Sequence, residues 1–383
     1  MASASATSAV RAPVFLRPRN FQWYWNSSVD PWAATYAEQA DDWQKYTDVE
    51  NEIIEDALNE KRIQTELDGN YIVNFTHQVQ YQKGDTNRQR PIKRVQLNTD
   101  RSNVYLREDR FALPITLATR DTETTMISAS TDNEQDALDE LKYYGRISKA
   151  YETLELKNID KSYGYIVEHA ANGIMIEGAK LGKEKEAEWL AKQLLDVKHF
   201  GENNETTYYV DIPQPIGETC IYLYTKESFW YKILNSTLRN HATMSREQVK
   251  TMGPFCWLLN QYLFQKKTGD LLTVYRGLTL TDEERQKFMK QGDIRFTSFT
   301  STSRNRKKAE KFGNTLLIFD LNVYDPVFEW KVPIGMNVLS LSDFPNEEEF
   351  TMYTGVLFNF VRYEYDNETK KHIIYLKASE LND

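Results

Sequence analysis

Three short stretches in the C-terminal half of this 383-residue chain could do chemistry. Val274-Tyr275-Arg276-Gly277 places an arginine at the end of an apolar strand, and a planar guanidinium can bridge the oxygens of an anion. The run from Phe296 to Ser303 ends in Ser301-Thr302-Ser303, a hydroxyl-rich strand leading into a basic helix. Phe344-Pro345-Asn346-Glu347-Glu348-Glu349-Phe350 is a carboxylate cluster on a loop entering a strand. Each has an ordinary reading. A strand-end arginine is usually an ion-pair or surface residue, a Ser/Thr run is usually a half-buried β surface, and a run of glutamates is usually solvated. Those readings leave the ordered co-occurrence of the three unexplained, as well as the aromatic and proline neighbours of the glutamates.

The elements that must position these residues alternate strands with turns. Apolar runs at 271–275, 296–302, 316–321, 338–341, 355–362 and 373–377 read as strands, and Thr281-Asp-Glu-Glu284 caps a short helix between the first two. Upstream the pattern is helical. Ser245-Arg-Glu-Gln248 is a capping box opening a long helix to about Lys266. Ala187, Leu190, Ala191, Leu194 and Leu195 share one face of a helix over 184–199. Residues 137–156 are a weakly patterned helix, and 164–178 fit no single period. Residues 120–136 are polar and aperiodic, which predicts a linker. The first 12 residues are small and polar, which predicts disorder.

A separate unit is expected over residues 13–106. It opens on the aromatic stretch Phe21-Gln-Trp23-Tyr-Trp25. Thr47-Asp-Val-Glu50 is a capping box for a helix whose Ile53, Ile54, Ala57 and Leu58 form an apolar face. Turns at Asp68-Gly69 and Lys83-Gly84-Asp85 bracket a strand over 71–75 and precede another over 92–97. Helices followed by strands across the whole chain give an α+β class.

Composition narrows the function. Lys plus Arg number 47 against 56 Asp plus Glu, a net charge of -9, so a broad nucleic-acid surface is disfavoured and any anion site must be a local patch. Cys220 and Cys256 make neither a disulfide framework nor a zinc site, and His77, His169, His199, His241 and His372 lack metal-ligand spacing. With no signal-peptide run at the start and no stretch of about 18 apolar residues, the expectation is an intracellular protein, cytoplasmic or nuclear, with no membrane partner and no metal.

The ordered set Arg276, Ser301-Thr302-Ser303 and Glu347-x-Glu349 resembles the ADP-ribosyltransferases of the arginine–serine–glutamate class. The resemblance spans roughly residues 165–383. It extends to Tyr224, Phe229-Trp230-Tyr231, Leu234-Asn235 and Leu238-Arg239, which are similar to that family's helical lead-in. It implies two packed β-sheets behind a helical part, and NAD+ as substrate. The nicotinamide–ribose bond would break through an oxocarbenium-like transition state, which a fixed Glu349 would stabilise. The resemblance further implies that Arg276 meets the pyrophosphate, that Tyr275, Gly277, Ser301, Thr302 and Ser303 line the dinucleotide, that Ser301 holds the Glu349 rotamer, and that Ser303 supports the strand–helix junction. Glu347 would select an arginine acceptor, with Phe344 on the loop 342–346 positioning the target and Glu348 pointing to solvent. Phe350-Thr351 departs from the Val-Leu common after the last glutamate, a change expected to affect packing more than chemistry.

Residues 13–106 resemble a WWE domain, with Trp25, Trp43 and Glu55 at the signature positions, a helix on a curved antiparallel sheet as the implied fold, and ADP-ribose units as the implied ligand. Tyr46, Tyr71, Gln80 and Arg90 are the implied contacts, with Arg88, Lys93 and Arg94 completing a basic patch. Val49 stands where some polymer readers carry an arginine. The chain as a whole therefore predicts a protein-arginine mono-ADP-ribosyltransferase joined to an ADP-ribose reader across a helical or linker segment at 107–164. Its partners would be an arginine-bearing acceptor and mono- or poly-ADP-ribosylated proteins. An NAD+ glycohydrolase and an inactive ADP-ribose-binding scaffold stay open as alternatives.

Overall fold

The computed structural model describes residues 20–32, 42–97, 117–118, 134–156, 162–202, 211–265, 273–290, 293–325, 330–332 and 334–379. The expected disordered tail at 1–12 and residues 120–133 of the expected linker lie outside the described residues.

The N-terminal unit is built from β1 (Phe21–Asn26), β2 (Trp43–Lys45), α1 (Asp48–Asn59), β3 (Gln64–Leu67), β4 (Tyr71–Asn74), β5 (Val79–Gln82) and β6 (Asp85–Gln96). The strands form one antiparallel sheet in the order β2-β1-β6-β5-β4-β3. Helix α1 begins where its capping box predicts. The Thr47 N–H donates to Glu50 Oε2 at 3.0 Å, and the Glu50 N–H returns to Thr47 Oγ1 at 3.4 Å. Its apolar face closes a core of Trp23, Tyr46, Ile54, Leu67, Val73 and Ile92.

The C-terminal body contains β7 (Leu117–Ala118) and a run of helices, α2 (Glu134–Tyr144), α3 (Ile147–Tyr151), α4 (Tyr163–Lys180), α5 (Glu184–Asp196), α6 (Gln214–Thr225), α7 (Phe229–Arg239) and α8 (Arg246–Gln265). Then come β8 (Thr273–Leu278), α9 (Asp282–Lys290), β9 (Asp293–Phe296), β10 (Thr300–Ser303), α10 (Arg306–Ala309), β11 (Thr315–Asp320), β12 (Tyr324–Asp325), β13 (Trp330–Lys331), β14 (Gly335–Asn337), β15 (Glu349–Met352), β16 (Val356–Asp366) and β17 (Lys371–Ala378). Both further capping boxes hold. Ser245 N–H reaches Gln248 Oε1 at 2.9 Å, and Thr281 N–H reaches Glu284 Oε2 at 2.8 Å.

Residues 164–178 belong to α4, the helix at the centre of the body. Ile166, Val167, Ala170, Ala171 and Ile174 are buried at helical spacing on one face, but that face also carries Gly164, Gly173, Glu177 and Gly178 while Tyr165 and Ile176 are exposed, so the apolar pattern is blurred. A Cβ on Gly173 would fall 1.8 Å from the Thr251 carbonyl, so only glycine permits this close crossing with α8. The single helix expected over 137–156 is broken instead. Gly145, at φ +70°, ends α2, and α3 runs into a π-helical turn at Glu152–Leu156. This stretch is no spacer, because Leu141, Ile147 and Tyr151 are buried in the large core of the body.

The strands of the body follow one hydrogen-bonded order, β14-β15-β10-β8-β11-β17-β16-β9-β7, with β11 and β17 parallel and β12–β13 a separate pair. The expected two sheets correspond to two wings of this series, β14-β15-β10 and the strands from β8 onward. They join through the single register pair Ser303–Tyr275. Phe296, Phe319 and Phe358 pack edge to face beneath the larger wing with centroids 5.0–5.5 Å apart.

The two units dock through polar contacts to the N-terminus of α5. The Asp68 carboxylate accepts the N–H groups of Lys185 at 2.8 Å and Glu186 at 3.1 Å, capping α5 from the other domain. Glu186 is buried at the same place and accepts the Phe229 N–H at 2.8 Å. Burial pushes its carboxyl up from 4.5 to about 7. A raised folded-state pKa favours folding fully below the unfolded value, and that contribution is lost as pH climbs to the folded value. The neutral isostere Glu186→Gln should therefore gain stability relative to wild type between pH 4.5 and 7, by on the order of 3 kcal/mol, and level off above. Urea melts at pH 4.5, 6, 7 and 8 check this.

Candidate active site

Strand order brings the three stretches together. β10 lies between β8, which carries Arg276, and β15, which carries Glu349. Opposite residues on β10 and β15 are Ser301 with Thr351, Thr302 with Phe350, and Ser303 with Glu349. Cross-strand partners share a face and alternate residues return to it, so Ser301, Ser303, Glu349 and Thr351 form one polar patch. Glu349 is 1 % exposed and Glu347 2 % exposed. Two carboxylates withdrawn this far from water are costly without compensating donors.

The donors differ in part from those expected. Thr351 Oγ1 donates to Glu349 Oε1 at 3.1 Å. Ser301, expected to hold that rotamer, has a buried Oγ with no hydrogen-bond partner among the described residues. Thr351, expected to affect packing more than chemistry, thus supports the carboxylate directly. Thr302 was expected at the dinucleotide, but its hydroxyl is committed to the Phe350 carbonyl at 2.7 Å and its side chain is fully buried. Ser303 Oγ donates to the Glu347 carbonyl at 2.9 Å and accepts the Asn305 N–H at 3.1 Å, tying the strand end, the glutamate loop and the start of α10 together.

Arg276 is buried, and its Nη1 donates to the Ser301 carbonyl at 2.6 Å, so the guanidinium braces β10 from the neighbouring strand. Gly277 is a packing position. A Cβ there would lie 2.0 Å from the Ala309 carbonyl, so glycine lets the α10 turn sit against β8. Tyr275 is half-buried beside Ala309, Leu316, Ile318, Ile373 and Tyr375.

The glutamate loop is pinned at its far end by Glu348, which does not simply point to solvent. Its Oε1 accepts from Lys308 Nζ at 2.7 Å and from Asn305 Nδ2 at 3.2 Å, and its carbonyl accepts the Arg304 N–H at 3.0 Å. The Lys308 contact holds the Glu348 carboxyl below its ordinary range. Glu348 adopts φ 49°, a left-handed conformation that turns the chain between Glu347 and Glu349. Phe344 accepts the Glu347 N–H on its carbonyl at 3.0 Å, closing a one-turn helix before the strand.

In the N-terminal unit, Tyr46, Gln80 and Arg90 come together. The Tyr46 hydroxyl donates to Gln80 Oε1 at 2.7 Å, and burial pushes this phenol well above its ordinary range. Gln80 stands opposite Arg90 in the β5–β6 register. Arg90 Nη1 donates to the carbonyls of Asn26 and Ser28 at 2.9 and 2.8 Å, and its guanidinium lies 5.7 Å from the centroid of Trp25. Tyr71, 42 % exposed, begins β4 beside Gln82. The basic patch is less open than its sequence suggests. Arg94 forks onto Glu55 at 3.0 and 2.5 Å, and Lys93 sits 4.0 Å from the ring centroid of Trp43. Arg88 does stand out in solvent, near Asp85 at 3.5 Å. Trp23, rather than Trp25, is the buried indole that donates to Glu55, at 2.9 Å.

Comparison with known proteins supplies the families. Residues 215–382 match the family model described as NAD:arginine ADP-ribosyltransferase, and residues 21–94 match that of the WWE domain, so the chain carries both domains. No curated protein matches the chain. Among solved structures, the ADP-ribosyltransferase HopU1 of Pseudomonas syringae is similar at 19 % identity over 43 % of this chain and 77 % of its own, with a TM-score of 0.35. The type III effector XopAI of Xanthomonas axonopodis is similar at 13 % identity over 64 % and 96 %, with a TM-score of 0.39. A eukaryotic mono-ADP-ribosyltransferase, ART2.2, is similar at 15 % identity over 70 % and 98 %, with a TM-score of 0.34.

The two hydroxyls facing each other on β10 and β15 should behave oppositely when removed. Thr351→Val deprives a buried carboxylate of a donor and should destabilise the fold by about 1–3 kcal/mol. Ser301→Ala removes a hydroxyl that bonds nothing among the described residues and should change stability by less than about 0.5 kcal/mol, or raise it. Paired denaturation curves check both.

Proposed function

We propose that the C-terminal body is an NAD+-dependent mono-ADP-ribosyltransferase that modifies protein arginine, and that the WWE domain binds ADP-ribose units. The observation that carries the reading is the pair of buried carboxylates, Glu347 and Glu349, one strand away from β8, which bears Arg276. The family match over 215–382 supports the transferase class.

The residues fit the dinucleotide by one test in particular. Ser301 Oγ is buried and lacks a partner within the described residues, although such a hydroxyl costs stability unless something bonds it. A ribose hydroxyl is a partner of the right chemistry. Arg276, fixed against the β10 backbone, would turn its positive charge to the pyrophosphate.

The chemistry is a glycosyl transfer. The bond between ribose C1′ and the nicotinamide nitrogen breaks with its electron pair going to nicotinamide, which leaves as a neutral base. Positive charge spreads over C1′ and the ring oxygen. Glu349, held by Thr351, meets that charge from a fixed position, so it stabilises the transition state more than the ground state. An arginine nitrogen then bonds to C1′. The acceptor guanidinium arrives protonated, and Glu347 orients it and takes a proton as the new bond forms. Having one carboxylate for the donor sugar and another for the acceptor explains why both are present and why both are shielded from water.

Two substitutions separate these roles. Glu349→Gln should lower NAD+ cleavage by at least about a hundredfold, with or without acceptor. Glu347→Gln should abolish arginine labelling while NAD+ hydrolysis persists at a measurable rate. Nicotinamide release and labelled-acceptor assays read the two together. If arginine labelling survives Glu347→Gln, acceptor choice lies elsewhere.

For the reader, Tyr46, Tyr71, Gln80 and Arg90 are the proposed ligand contacts. Arg90→Ala should weaken binding of iso-ADP-ribose or ADP-ribose by about tenfold or more, the loss of one charge-assisted contact. Calorimetric titration with each ligand measures this, and equal binding by wild type and variant would remove Arg90 from the site.

A further inference from the structure

We infer that Lys226 is a positioning residue for the glutamate loop, and that the WWE helix α1 sets its position. The inference rests on the reading of Glu347 and its loop as the acceptor side. Lys226 follows α6 and is 1 % exposed. Its ammonium bonds two carboxylates from different domains, Glu52 Oε1 on α1 at 2.7 Å and Asp343 on the loop before Glu347. The Tyr222 ring lies beneath it, with the centroid 4.5 Å away.

Asp343 alone would neutralise this lysine, yet a second carboxylate is brought to it from the reader. A buried ammonium stays where its acceptors are, so Lys226 couples the place of α1 to the place of Asp343. The rest of α1 is fixed to the body around it. Asp48 accepts the Glu227 N–H at 2.9 Å, Asp56 accepts the Trp189 indole N–H at 3.1 Å, and Val49 is fully buried in the core of the catalytic body rather than that of its own domain. Val49 therefore packs into the catalytic body at the position where some polymer readers carry an arginine.

The loop is then held at two points. Lys226 fixes Asp343 at its start and Lys308 fixes Glu348 at its end, with Phe344 and Glu347 between. Glu349 has a separate anchor in β15 and Thr351. Loosening the Lys226 end should therefore disturb acceptor capture and leave NAD+ cleavage intact, a split that general destabilisation would not produce.

Removing Lys226 would strand two partly buried carboxylates and threaten folding, so the test is made at Glu52 in the full chain. Glu52→Gln, and more strongly Glu52→Ala, should speed amide hydrogen exchange across residues 338–348. Each should raise KM for an arginine-bearing acceptor by about tenfold, and keep KM for NAD+ and the rate of acceptor-free hydrolysis within about twofold. Unchanged loop exchange and acceptor KM in Glu52→Ala would overturn the inference, as would a parallel fall of transfer and hydrolysis. If wild type cleaves NAD+ but labels no arginine, the proposed function fails at its acceptor, and the exchange comparison alone decides whether Glu52 positions the loop.

Discussion

Strand β10 is hydrogen-bonded on both sides, and the candidate active site depends on that arrangement. Ser303 pairs with Tyr275 on one neighbour and with Glu349 on the other. Stretches 25 and 48 residues apart in the chain, at 276, 301 and 349, thereby become adjacent strands. A shift of one residue in the β10–β15 register would turn Glu349 and Thr351 to the opposite face. The locks on that register are visible: Arg276 on the Ser301 carbonyl, Thr302 on the Phe350 carbonyl, and Ser303 on the Glu347 carbonyl. The hydroxyl-rich strand is thus largely a device for holding two flanking strands, with the Ser301 hydroxyl the one left without a partner among the described residues of that strand's Ser301-Thr302-Ser303 run.

Charge is treated in the same way throughout the molecule. The cations that the sequence suggested for anion binding are mostly committed to internal partners: Arg94 to Glu55, Lys93 to Trp43, and Arg90 to the carbonyls of Asn26 and Ser28. Buried cations and carboxylates must be paired where they sit, so these contacts fix loops and strand ends rather than forming an open basic surface. The domain interface follows the same rule, with acidic residues of the WWE unit capping α5 at Asp68 and meeting Lys226 at Glu52. Net charge described the average surface and said little about where individual charges act.

Local signals in the sequence were dependable. All three capping boxes open helices at their predicted residues, and strand patterns placed Arg276 and Ser301 on strands. The strand expected over 338–341 is instead a turn, 296–302 divides between β9 and β10, and β15 lay outside the apolar runs read as strands. What escaped has physical causes. Helix α4 mixes glycines and Glu177 into its buried face and exposes Tyr165 and Ile176, so its period was blurred. The split of 137–156 depends on a left-handed Gly145, which periodicity does not register. The indole that bonds Glu55 is Trp23, because the sequence offers Trp23 and Trp25 two apart and only the fold decides which faces Glu55. Thr351 read as a packing departure because its importance lies in being two residues from Glu349 on the same strand face. The Lys226 contacts join residues 174 and 117 positions apart, a separation that no local pattern encodes.

The central claim is that one carboxylate serves the sugar and the other the acceptor. Incubating the full chain with NAD+ and an arginine-bearing protein, then mapping adducts by mass spectrometry alongside released nicotinamide, tests it most directly. The account predicts a single ADP-ribose on arginine side chains, with nicotinamide released alongside. Free ADP-ribose as the sole product, adducts confined to other residue types, or NAD+ left intact would contradict it.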